Sequence, residues 1–120
     1  MKKQILNNLS ALFVLGIPFV VTVSPSVIAT ENITVDAVLA VETDADYGEY
    51  LAAECMTCHT GSNTNASIPD INGRESAYIV SALLEYKYNK RDNETMRLIA
   101  GALGKEEIAA LTAYFNGLGK

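Results

Sequence analysis

The pentapeptide Cys55-Met56-Thr57-Cys58-His59 constrains the fold more than any other feature, because it contains both cysteines and the single histidine of the 120-residue chain. The order Cys-x-x-Cys-His is the attachment signature of c-type haem. The two thiols can form thioether bonds to the haem vinyl groups, and the imidazole that follows can bind the iron. The two thioethers would hold the porphyrin ring beside His59. The imidazole would therefore bind the iron with little further loss of conformational freedom. The pentapeptide predicts one covalently attached haem c.

Four other uses of the cysteine pair fit the sequence less well. A structural zinc site needs four ligands and an iron–sulfur cluster usually needs four cysteines, whereas this chain has two cysteines and one histidine. A thioredoxin-like redox pair belongs in a βαβ unit, and the sequence predicts no such unit. A disulfide spanning only two intervening residues would be strained. Haem attachment is therefore the favoured interpretation.

The N-terminal segment resembles a secretory signal. Lys2 and Lys3 precede an almost continuously apolar run over residues 9–23, and no further charged residue occurs before Glu31. A basic start, an apolar run and a polar stretch with small residues are the three parts of a signal peptide. This pattern predicts export to the periplasm or an equivalent compartment outside the cytoplasm.

Two positions resemble cleavage sites, one after Ala29 and a second after Ala40, which lies far from the apolar run. An uncleaved membrane anchor is the competing interpretation. A spanning helix needs about 20 apolar residues, and Pro18 and Pro25 interrupt this run. The favoured prediction is a signal peptide over residues 1–29, with membrane association only if the segment stays as an anchor.

Export would also make the protein more acidic. The chain has 9 basic and 14 acidic residues, and residues 1–29 contain two of the bases and none of the acids. The remainder has 7 bases and 14 acids, which gives a net charge of −7. Such a charge disfavours binding to nucleic acid or anionic lipid. It favours a redox protein partner with a basic docking face.

The rest of the chain divides into a lead-in and one domain. Residues 30–46 are predicted to be an acidic linker, solvated and partly disordered, because their charges alternate with small and β-branched residues without helical spacing. Residues 47–120 form the predicted domain. A core of roughly 75 residues is near the limit for an independent fold. We therefore expect the fold and the haem to depend on each other.

The domain pattern predicts four helices and no strand. The first begins near Ala45, with Asp44 or Asp46 as its N-cap, and it places Gly48 and Ala52 where another helix could cross closely. The others are predicted over Glu75 to Tyr88, Thr95 to Ala102, and Lys105 to about Leu118.

The second predicted helix carries one apolar stripe at helical spacing. The residues of this stripe are Tyr78, Ile79, Ala82, Leu83 and Tyr86. Core packing is the favoured role of the tyrosines Tyr78, Tyr86 and Tyr114, with one hydroxyl available to a haem propionate as the alternative.

A second axial ligand is found by elimination. Met1 lies in the signal segment, and Met56 lies between the cysteines and is predicted to point elsewhere. Met96 follows a polar turn and lies 37 residues after His59, far enough for the chain to wrap around the porphyrin. Its competing role is a core filler, which would leave an open or water-filled sixth site.

The two ligand sets predict different functions. Ligation of the iron by His59 and Met96 raises the reduction potential and leaves no site for a substrate, which suits an electron carrier. An open sixth site would suit a haem peroxidase or a gas sensor instead.

The loop over residues 61–73 contains a rigid segment ten residues after His59. Pro69 fixes its own φ angle and donates no backbone hydrogen bond, and Ile68 and Ile71 flank it. This segment is predicted to line a pocket and to offer a carbonyl oxygen to the Nδ1–H of His59.

Residues 48–118 resemble a class I cytochrome c domain. The matching motifs are Gly48-x-x-Leu51-x-x-x-Cys55-x-x-Cys58-His59, then Ile68-Pro69-x-Ile71-x-Gly73, and Met96 before a final helix that contains Glu107-Ile108-x-Ala110-Leu111. Within this family, the run from Tyr78 to Met96 is most similar to the cytochrome subunit of flavocytochrome c sulfide dehydrogenases and to single halves of diheme cytochromes.

The resemblance implies an all-α fold of about four helices around one haem, with the first and last helices crossing. The pocket residues expected on this basis, besides the four in the attachment and ligand positions, are Pro69, Ile71, Tyr78 and Leu83. It also implies an alternative function, the electron-accepting subunit of a sulfide dehydrogenase whose FAD is bound to a separate chain. One departure is Asn89 where the family usually has Gly, and Asn tolerates the left-handed conformation better than most residues.

Overall fold

The computed structural model of the protein describes residues 32–62 and 64–119. These residues form five α-helices and no strand, which confirms the all-α prediction. The helices are α1 Val35–Leu39, α2 Ala45–Met56, α3 Ser76–Lys87, α4 Glu94–Ala102 and α5 Lys105–Gly117. Of these, α2 to α5 are the four predicted helices. Among the described helices none has the length and apolar character needed to cross a membrane. The predicted signal peptide, residues 1–29, lies outside the described residues.

The crossing of α2 and α5 is as close as the small residues on α2 predict. A Cβ atom on Gly48 would stand 2.1 Å from the backbone oxygen of Ala110 and 2.9 Å from the Cβ of Tyr114. Only glycine fits at that point, and Ala52 one turn later is also buried. At the start of α2, the Asp44 side chain accepts a hydrogen bond from the Asp46 N–H, so Asp44 is the N-cap.

Two hydrophobic clusters form the core, and α3 and α5 contribute to both. The α1 cluster consists of Val38, Val80, Leu84, Ile108 and Ala109. The cavity cluster consists of Ala52, Ile79, Leu111 and Phe115. Neighbouring residues in a helix point about 100° apart, so one helix can supply two clusters on different sides.

Residues 30–46 were predicted to be a solvated, partly disordered linker, but among residues 32–46, which the structure describes, α1 forms and packs on the domain. Thr34 caps α1 by accepting a hydrogen bond from the Ala37 N–H. Val38 is only 1% exposed, and the backbone N–H of Ile33 donates to the Tyr88 hydroxyl at 2.6 Å. A five-residue helix with one buried side chain is too short to show a period in the sequence.

Two residues at the end of α3 determine how the chain continues to α4 and how the two helices are held together. Asn89 has a φ of 56°, so it does adopt the left-handed conformation expected of it. The Lys87 ammonium donates hydrogen bonds to the carbonyl oxygens of Gly101 at 3.0 Å and Leu103 at 2.7 Å. These carbonyls lie at the C-terminal end of α4, where a cation is favoured by the helix dipole. Lys87 thereby holds α4 against α3.

Candidate functional site

A cavity of about 290 Å³ is lined by α2, α3, α4, α5 and the loop that follows α2. All eight predicted site residues line it, although they come from four separate segments of the chain. These residues are Cys55, Cys58, His59, Pro69, Ile71, Tyr78, Leu83 and Met96. Much of the remaining wall is apolar, and it includes Ile79, Ile99, Leu111 and Phe115.

The attachment pentapeptide folds as a turn that continues α2. The Cys58 N–H and the His59 N–H both donate to the Cys55 carbonyl oxygen, at 3.2 and 2.9 Å. This turn keeps both sulfur atoms and the imidazole on the wall of one cavity. Met56 packs against the cavity cluster instead and is not among the described residues that line the cavity.

The two thiols differ in their surroundings. Cys55 is half-buried whereas Cys58 is exposed. Burial raises the pKa of the Cys55 thiol, because a thiolate loses solvation in an apolar environment. Burial therefore favours the neutral thiol of Cys55 over its thiolate.

The imidazole of His59 is oriented by the proline loop. Its Nδ1 lies 2.7 Å from the carbonyl oxygen of Pro69, which is the hydrogen bond predicted from the sequence. A carbonyl oxygen can only accept, so Nδ1 carries a proton, and in the neutral imidazole Nε2 has the lone pair. Metal-binding histidines usually donate their second ring nitrogen to a carbonyl or carboxylate in this way. Nε2 is thus the nitrogen available to a metal.

Met96 is positioned by the N-terminus of α4. The side chain of Asn93 caps the helix by accepting a hydrogen bond from the Met96 N–H at 3.0 Å. This places Met96 in the first turn, where it lines the cavity together with Asn93, Thr95 and Ile99. Asn93 was not predicted as a site residue from the sequence, although an Asn directly before the first residue of a helix is a recognisable N-cap signal.

The tyrosines do not all pack in the core. Tyr114 does, since it meets Phe115 edge-on with ring centroids 5.4 Å apart. Core packing is wrong for Tyr78 and Tyr86, because both line the cavity and Tyr78 is 41% exposed. Helical spacing shows which side of α3 faces inward, but it does not distinguish a packed core from a cavity wall.

Two arginines stack on these tyrosines. The guanidinium of Arg74 lies 5.6 Å from the ring centre of Tyr78, and that of Arg91 lies 5.1 Å from the ring centre of Tyr86. Arg91 also lines the cavity and pairs with Glu85 at 3.8 Å. The cavity wall therefore contains one guanidinium, that of Arg91, and one carboxylate, that of Glu54.

The residues around this cavity fit a covalently attached haem. Two thiols, an imidazole with its Nδ1 proton engaged and a thioether line one apolar cavity in an all-helical domain. A thioether and an imidazole are the ligand pair of many c-type cytochromes. The fold and the site together define a protein of the c-type cytochrome class.

Comparison with known proteins supports this class. The chain is 36% identical over 74 residues to the cytochrome subunit of sulfide dehydrogenase from Chlorobaculum tepidum. This alignment covers 61% of this chain and 67% of that protein. It is 34% identical over 71 residues to cytochrome c4 from Azotobacter vinelandii, covering 53% of this chain and 34% of that protein. It is 31% identical over 72 residues to the thiosulfate dehydrogenase electron acceptor from Stutzerimonas stutzeri, covering 56% and 33%.

The chain belongs to the class I cytochrome c family, and it is an electron-transfer cytochrome of the kind that carries c-type haem. No protein-family model matches it. It spans two thirds of the first relative's length and about one third of the other two, so it is similar to a part of those longer proteins.

Proposed function

We propose that the protein is an exported carrier of single electrons that contains one haem. In this proposal Cys55 and Cys58 hold the haem through thioether bonds, while His59 and Met96 are the axial ligands of its iron. The observation that carries the proposal is the convergence of these four side chains on one apolar cavity. When bound, haem supplies a one-electron couple between ferrous and ferric iron.

The chain's own residues have three tasks around such a group. The Pro69 carbonyl fixes the orientation of His59 and increases the basicity of its Nε2, as outer-shell hydrogen bonds to ligating histidines do. The N-cap by Asn93 fixes Met96 at the start of α4. The apolar wall keeps water away from the iron, which disfavours the more highly charged ferric state and raises the potential.

Ligation by Met96 can be tested in the ferric protein. Met96→Leu is expected to abolish the charge-transfer absorption between thioether sulfur and ferric iron and to lower the midpoint potential, while the haem stays attached through its cysteines. Absorption spectroscopy and redox titration measure both effects. Met56→Leu is the matched control, because Met56 is beside the attachment cysteines and does not line the cavity in the described structure. Survival of the absorption in Met96→Leu would contradict the assignment.

Export is part of the same proposal, and α1 bears on where the chain would be cleaved. Cleavage after Ala40 would remove α1 and with it Val38, which fills the α1 cluster. Cleavage after Ala29 would leave α1 in place. We therefore place the processing site before Asn32, and the mass of the mature protein measures it.

A second candidate function is the electron-accepting subunit of a flavin-dependent sulfide dehydrogenase. The observation in its favour is the 36% identity to the cytochrome subunit of sulfide dehydrogenase. Size-exclusion chromatography of a native extract separates the two candidates. A free carrier elutes as a small haem protein, whereas a subunit elutes with a larger chain that has flavin absorption.

A further inference from the structure

The net negative charge of the described residues comes from one part of the chain. Residues 32–73 contain seven acidic residues and no lysine or arginine, whereas residues 74–119 contain six of each sign. The two helices in the first part, α1 and α2, have acidic residues but no basic ones, and α2 is the longer of the two. The excess of negative charge therefore lies in residues 32–73, a position that composition alone does not reveal.

The solvent-facing side of α2 combines this charge with an exposed aromatic ring. Asp46 and Tyr50 are one turn apart on the same side of the helix, and Glu49 and Glu54 flank them. We call these four residues the α2 face. Tyr50 is 78% exposed, which is unusual for a large aromatic side chain on a helix that buries its other side.

Among the described residues, no lysine or arginine forms an ion pair with a carboxylate of the α2 face. The ion pairs among the described residues involve Glu85, Asp92 and Glu106, all outside α2. A partner that brings lysine or arginine to the α2 face would not have to break an existing ion pair. It would gain attraction over the whole face.

The α2 face also leads to the cavity. Glu54 lines the cavity beside Cys55, and Cys58 is exposed one turn further along the chain. A protein docked on the α2 face would therefore lie next to the attachment end of the cavity. Short distance between docking surface and redox site is what an electron-transfer encounter requires.

We infer that the α2 face is the docking site for a protein partner that presents lysine and arginine side chains. Opposite charge would steer the encounter, and the Tyr50 ring offers contact area and a face for a cation. Nucleic acid and anionic lipid would be repelled, and a second copy of this chain would present the same negative face. The inference rests on the proposed electron-transfer function for its meaning but is tested by binding.

The experiment uses the ¹⁵N-labelled haem-containing protein and a ten-residue lysine peptide as the basic probe. Amide shifts on addition of the peptide are expected to concentrate on α2. In the double variant Asp46→Asn/Glu49→Gln, binding at low salt is expected to weaken about tenfold. The control Glu75→Gln/Glu106→Gln removes the same charge from exposed positions outside the α2 face, and its expected loss is about twofold. Equal weakening by both variants, or shifts located elsewhere, would overturn the docking site.

Variants of Tyr50 distinguish docking on the α2 face from non-specific electrostatic attraction. Tyr50→Ala is expected to weaken peptide binding about threefold, and Tyr50→Phe to restore it, because the ring and not the hydroxyl makes the contact. Unchanged binding in Tyr50→Ala would overturn the role of the ring. Sedimentation at increasing protein concentration tests the other occupant, and dimerisation that Tyr50→Ala abolishes would overturn the choice of a basic partner. The ferric absorption spectrum of the same samples reports haem ligation, so a failed docking site is distinguishable from a failed electron carrier.

Discussion

The two hydrophobic clusters of this small domain are closed in different ways. In the α1 cluster, Val38 covers Val80 and Ile108, and all three side chains are almost completely buried by the polypeptide itself. The cavity cluster is also buried, since Leu111 and Phe115 are each 2% exposed, but these two side chains line the cavity together with Tyr78, which is 41% exposed. The α1 cluster is packed by the chain on all sides, whereas the cavity cluster forms part of the wall of the cavity that we propose for the haem.

The contrast is visible within α3 alone. Val80 and Leu84 on one side are buried in the α1 cluster, while Ala82 and Tyr86 on the other side line the cavity. If only one side of α3 were packed, the helix would bury only part of the apolar surface that it buries in the native protein. We therefore expect the proposed haem and α1 each to contribute part of the free energy of folding, and each contribution can be removed separately.

The largest effect is expected from removing the haem anchors. In Cys55→Ala/Cys58→Ala the cavity keeps its apolar wall but loses covalent attachment, so that wall is exposed to water and the domain is expected to be mostly unfolded. Far-UV circular dichroism of the purified variant measures the loss of helix. A haem-free variant with native helix content and a cooperative thermal transition would show that the α1 cluster suffices to fold the domain.

The cover provided by α1 is tested with the haem in place. Val38→Ala leaves a void against Val80 and Ile108, and it is expected to lower the free energy of unfolding by about 2 kcal/mol. Guanidinium denaturation of the haem-containing protein measures this change.

The same helix offers a matched control for Val38. Leu39 is the next residue and is 46% exposed, so Leu39→Ala is expected to change the unfolding free energy by less than about 0.5 kcal/mol. Equal effects of Val38→Ala and Leu39→Ala would mean that α1 does not close a core cluster in solution.

The same contrast explains what the sequence could predict. Cys55, Cys58, His59 and Met96 could be named from the sequence, because a motif with fixed spacing and an elimination among three methionines depend on local sequence. Residues 32–41 were missed because one buried valine in a five-residue helix leaves no periodic pattern. Arg91 was missed, and Tyr86 was predicted to pack in the core. The roles of both depend on a cavity between helices, which the pattern of a single helix does not reveal.

The smallest destabilisation among these predictions is expected from the hydrogen bond between the Ile33 N–H, before α1, and Tyr88 at the end of α3. Tyr88→Phe removes the hydroxyl that accepts from the Ile33 N–H and leaves the ring packed against the α1 cluster. Loss of such a bond costs about 1 kcal/mol, half of the expected cost of Val38→Ala. Hydrogen exchange is the sensitive measurement, since the amide of Ile33 should lose protection while the α2 amides near the cavity should not. Tyr47→Phe is the control, because Tyr47 is exposed on α2. If Tyr88→Phe also accelerated exchange in α2, the two clusters would unfold as one unit, and the separation between the chain-closed and cavity-closed halves of the core would be wrong.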